Sequence, residues 1–74
     1  MLNTEEKAIS LFNSSLKQCE IFGIETNKRN AIEISLLKLT AIKEALYDST
    51  LIDDSQVKRT LEYYCKVQRT IESL

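Results

Sequence analysis

A chain of 74 residues has room for one domain, and folding at this size hides only about 60% of the surface that the unfolded chain exposes, so a lone core is marginal. Ten Lys and Arg against eleven Asp and Glu, with the signs mixed along the chain, leave a net charge of −1. That argues against a nucleic-acid binder, which would show a basic face and a high pI. No histidine, and two cysteines without a Cys-x-x-Cys spacing, argue against a structural zinc site. Neither composition nor spacing asks for any cofactor.

The chain opens with MLNTEEKAIS, which is acidic and lacks the basic start and apolar core of a secretory signal. Apolar runs are only a few residues long, so no membrane insertion is expected. The expected compartment is the cytoplasm, with both thiols reduced.

Proline is absent and Gly23 is the single glycine, so the reading is all-α, with three helices over about 4–22, 28–47 and 54–73. Asn3 is placed to cap the first helix, with Glu6 completing a capping box and Glu5 and Glu6 suiting the positive end of the helix dipole. The apolar stripe runs Ile9, Phe12, Leu16, Cys19, widened by Ala8 and Leu11. Gly23 is the natural stop, because glycine enters the left-handed cap without cost, and Ile24 is expected to fold back on Cys19.

The second helix follows Thr26 or Asn27. Ala31, Ile32, Ile34, Leu36, Leu37, Leu39, Ala41, Ile42, Ala45 and Leu46 spread round most of its circumference, leaving a narrow polar strip at Glu33, Thr40 and Glu44. Such a helix needs neighbours on more than one side. Lys28 and Arg29 stand at its start, where the dipole disfavours them.

In the next turn, Asp53 is placed to cap the third helix with Gln56 as its capping-box partner, and Ile52 and Val57 have the spacing of a hydrophobic staple. The second and third helices are therefore expected to form an antiparallel helix-turn-helix hairpin. The third helix is striped by Val57, Leu61, Tyr64, Val67, Ile71 and Leu74. Lys58, Arg59, Lys66 and Arg69 fall on its outer part, interrupted by Glu62 and Glu72. That charge fits a solvated face, or a dock for an acidic partner.

Little here suggests catalysis. The usual general base is missing with histidine, and Cys19 and Cys65 lie on or beside apolar stripes, where a free cysteine packs as a small hydrophobe. Helix capping accounts for Asp53-Asp54 better than metal binding does. The Asn13-Ser14-Ser15 acceptor pattern falls inside a predicted helix of a chain without a signal peptide. Tyr64 belongs to the stripe, and adjacent Tyr63 emerges at its edge, where tyrosines often anchor interfaces.

The stretch AIEISLLKLTAIKEAL, the acidic turn at Asp53-Asp54 and the stripe Val57, Leu61, Tyr64, Val67, Ile71 together resemble the small helical co-chaperones of type III secretion needle proteins. That resemblance covers a little over half the chain. It implies a bacterial cytoplasmic helical hairpin that cradles an aggregation-prone subunit together with a second chaperone. Ser55-Gln56-Val57 also resembles the start of the Ser-Gln-x-Leu-Asp signature of small hairpin phosphatases acting on phosphorylated response regulators. Here Lys58 and Arg59 replace the Leu and the Asp, so the activity does not carry over.

The expectation is a non-enzymatic protein-binding module, a homo- or hetero-oligomer that meets its partner through apolar helical faces. Leu36, Leu39, Ile42, Leu46, Leu61, Tyr63, Tyr64 and Ile71 are the candidate partner-binding residues. The alternatives are a regulator acting on a phosphorylated response regulator, and a structural homo-oligomer in which two hairpins bury one another's stripes.

Overall fold

Local chemistry sets the helix ends. In a computed structural model that describes residues 2–48 and 54–74, the chain forms α1 (Thr4–Phe22), α2 (Lys28–Tyr47) and α3 (Asp54–Glu72), with no strand among the described residues. Asn3 starts α1 by accepting the Glu6 backbone N–H on its side-chain oxygen at 2.8 Å. Gly23 ends it at φ 71°, a left-handed conformation. There its N–H donates to the carbonyl of Glu20 and that of Ile24 donates to Cys19, at 3.2 and 3.0 Å, the paired bonds of a Schellman motif. Ile24 thus folds back on Cys19 through a backbone bond, with its side chain 44% exposed.

Asn27 caps α2 in the same way, accepting the Asn30 N–H at 2.8 Å, while the Asn30 side chain donates to the carbonyl of Glu25 at 2.8 Å and ties down the approach. Arg29, at the unfavourable positive end, lies 3.5 Å from Glu33 one turn on. Both side chains are well exposed, and such a pair contributes at most a few tenths of a kcal/mol, roughly. The Asp53 cap and the Ile52 staple expected for α3 lie outside the described residues.

Small residues bring α1 and α2 close together. Ser15, Cys19, Ala31 and Ser35 are all fully buried, and the two serine hydroxyls meet at 2.9 Å. Ser35 Oγ also lies 2.8 Å from the carbonyl of Ala31 and 3.4 Å from that of Leu11, so a side chain of α2 reaches the backbone of α1. Only short side chains permit such an approach. Lys38 Nζ donates to Ser14 Oγ at 3.2 Å along the outer edge of this seam, and partial burial lowers the pKa of its ammonium.

All three helices pack against one another, and the core they share holds Ala8, Leu39, Val67 and Ile71. Leu11, Ile32, Leu36, Tyr63 and Tyr64 close it from the sides. The antiparallel hairpin expected for α2 and α3 fits the short link between them, since the chain from 48 to 54 extends at most about 22 Å.

The third helix is offset along the bundle. Tyr63, at the midpoint of α3, donates its hydroxyl hydrogen to the carbonyl of Leu2, which precedes α1. Lys43, near the end of α2, donates to Gln68 Oε1 in the second half of α3. Among the described residues of α3, the fully buried ones are Val67 and Ile71, both in that half. The longest dimension is 40 Å, more than one such helix spans. The molecule is thus a three-helix core that continues toward the α1–α2 turn as a two-helix seam.

Candidate functional site

The expected partner-binding residues separate by depth. Leu39 and Ile71 are fully buried in the chain's own core. Leu36, Ile42, Leu46, Leu61, Tyr63 and Tyr64 are half-buried, and of these Leu36, Tyr63 and Tyr64 pack against the core. Tyr63 and Tyr64 meet edge to face, with ring centroids 5.2 Å apart and planes at 80°. Partial desolvation raises the Tyr63 hydroxyl above its usual pKa, with smaller pushes from Tyr64 and the carboxylate of Glu6.

Among the described residues, the most exposed large apolar side chains lie elsewhere. Ile21 is 76% exposed, Phe22 63%, Leu37 70% and Tyr47 73%, with Leu2, Ile9, Ile24 and Leu74 also open. Ile9 was expected in the core stripe of α1, yet it is 46% exposed. Fully buried Ala8 takes the inward position beside it, because α1 approaches its neighbours through small residues. Leu37 had a sequence signal in the all-round apolarity of α2. Ile21 had one in falling outside the stripe just before the Gly23 stop, whereas Phe22, three residues after Cys19, continues the stripe and carried no such signal.

Along the outer side of α3 runs an open groove lined by Lys58, Leu61, Glu62, Cys65, Lys66 and Arg69. It adjoins a second groove toward α2, lined by Lys43, Cys65, Gln68, Arg69 and Glu72. The shared residues Cys65 and Arg69 make one continuous surface of the two. Its floor is Leu61 and the exposed Cys65 thiol, and its walls are mostly cationic. Among the described residues the only ion pair is Arg29–Glu33, so Lys58, Lys66 and Arg69 have no carboxylate partner there, although Glu62 is spaced for one.

Reactive chemistry is sparse on this surface. The Cys65 thiol has no histidine to deprotonate it. Among the described residues no group of three or more Cys, Asp or Glu is placed to hold a metal ion, and no helix is long and apolar enough to cross a membrane. What the arrangement offers is contact area: aliphatic and aromatic side chains with charge at their borders. Comparisons with family models, curated proteins and solved structures find no match for the chain, so its activity has to be read from its own surface.

Proposed function

We propose that this chain is a non-enzymatic binding module that presents helical faces to another protein, and most specifically a cytoplasmic co-chaperone of a bacterial type III secretion subunit. One observation carries the reading. The interior is built largely from small residues, Ala8, Ser15, Cys19, Ala31 and Ser35, while Ile21, Phe22, Leu37 and Tyr47 remain in solvent. Filling the core with small side chains while large ones stay in water leaves apolar area open to a partner.

The surface total agrees. The chain exposes 5277 Å², against about 4,650 Å² expected of a compact monomer of 8.5 kDa. The excess is of the order of one side of a standard protein interface, about 800 Å². The half-buried Leu36, Ile42, Leu46, Leu61, Tyr63 and Tyr64 are the further apolar side chains proposed to meet the partner, with Leu39 and Ile71 buried behind them. Secretion co-chaperones supply the more specific reading through their similar length and helix-turn-helix pattern.

The test is protection of a client. An aggregation-prone helical needle-type subunit, mixed with equimolar protein, should stay in solution by light scattering. Leu37→Asp should lose most of that protection while keeping its helical circular dichroism, since the side chain lies outside the core. Unchanged client aggregation at stoichiometric excess of the natural chain would reject the proposal.

A further inference from the structure

One face of α1 is acidic, and one face of α3 is mostly basic. The first half of α1 carries Glu5, Glu6, Ile9 and Asn13, with Glu6, Ile9 and Asn13 spaced three and four apart, one face of a helix, and Leu2 precedes the helix just before its Asn3 cap. Leu2 and Ile9 are exposed at 44% and 46%, and both carboxylates are exposed as well. Lys7 projects from another side of α1, and Lys17 stands beyond the far end of this stretch. The α3 groove is the counterpart: an apolar floor of Leu61 and Cys65, with Lys58, Lys66 and Arg69 outnumbering Glu62.

Neither set is satisfied within the chain. Among the described residues Glu5, Glu6, Lys58, Lys66 and Arg69 have no ion-pair partner. The contact of α3 with the start of α1 runs through Tyr63 and Leu2, whereas the groove adjoins Lys43 on the α2 side. Among the described residues of one copy, no ion pair joins the acidic face to the basic groove.

From this complementarity we propose that the acidic, apolar face of α1 docks into the basic, apolar groove of α3 on a second copy. Ile9 and Leu2 lie over Leu61 and Cys65, while Glu5 and Glu6 face Lys58, Lys66 and Arg69. Because two different surfaces meet, the contact is heterologous, and it propagates head to tail unless the rotation closes a ring. A second copy fits better than an unrelated acidic helix, since this chain itself supplies both the matching charge and the matching apolar centre. The inference deepens the binding-module reading and rests on it.

Sedimentation of the full chain at low and high salt tests it. Association should weaken by about tenfold or more between roughly 0.02 M and 0.5 M NaCl, as exposed charges become screened. Glu6→Lys and Arg69→Glu should each be monomeric alone at low salt. Mixed, they should form a one-to-one pair, because an intact acidic face on one chain meets an intact groove on the other. Circular dichroism confirms that each variant is folded. Alkylating Cys65 of the natural chain with a bulky maleimide should likewise block assembly, with buried Cys19 left unmodified.

A natural chain that stays monomeric at low salt would overturn the inference, and so would an association indifferent to salt and to both reversals. Client protection by a monomeric chain would overturn this inference alone. Assembly without client protection would instead count against the chaperone reading.

Discussion

At Ser15 and Ser35 two hydroxyls share a fully buried site, 2.9 Å apart. Each has one hydrogen to donate. With Ser35 donating to the carbonyl of Ala31 at 2.8 Å, Ser15 donates to Ser35, and both hydrogens are used. Ser35→Ala then leaves the Ser15 hydroxyl buried without this partner, and should cost about 1–3 kcal/mol in urea unfolding. Adding Ser15→Ala should cost less than the sum of the two single changes, a coupling of about 0.5 kcal/mol or more. Additive losses would mean that the two hydroxyls act independently. This pair was not legible beforehand. A serine normally counts as a polar, outward position, and a hydroxyl satisfied by the carbonyl one turn earlier leaves no mark on the hydrophobic pattern.

Helix ends were the most legible elements, because the groups that set them are neighbours in the chain. Asn3, Gly23 and Asn27 act where they were expected to, and α3 stops at Glu72, one residue short of the expected end. Gly23 gives the sharpest test. A Cβ added there would meet nothing within 4 Å, so any cost of Gly23→Ala comes from the left-handed backbone alone. It should be about 1–2 kcal/mol by urea unfolding, with Gly23→Asn falling short of that. The inward face of each helix was harder to read than its ends. Ile9 matched the periodicity as well as Ala8 did, but the closer packing of α1 through small residues left Ile9 at the rim.

For the molecule as a whole, the number of helices followed from composition, whereas their offset did not. The offset depends on contacts such as Tyr63 with Leu2, far apart in sequence, which no local pattern encodes. Its consequence is a short shared core, with much of the stability concentrated in few side chains. Leu39→Ala should cost about 2–5 kcal/mol, a large part of the roughly 4–11 kcal/mol expected for a chain of this length. Leu37→Ala, two residues away and 70% exposed, should change stability by no more than about 0.5 kcal/mol. Urea unfolding of both separates core from surface on one helix. Equal losses would mean that Leu37 also supports the fold.

The two cysteines turn the seam between α1 and α2 into something that can be timed. Cys65 is open to solvent, so an added electrophile reaches it from the folded state. Cys19 is fully enclosed, and the same reagent reaches it only during the moments when the helices part. With Cys65 as the reference for unhindered reaction, the delay at Cys19 measures how rarely that parting occurs. The chain thus carries its own stopwatch for opening, one thiol starting it and the other stopping it.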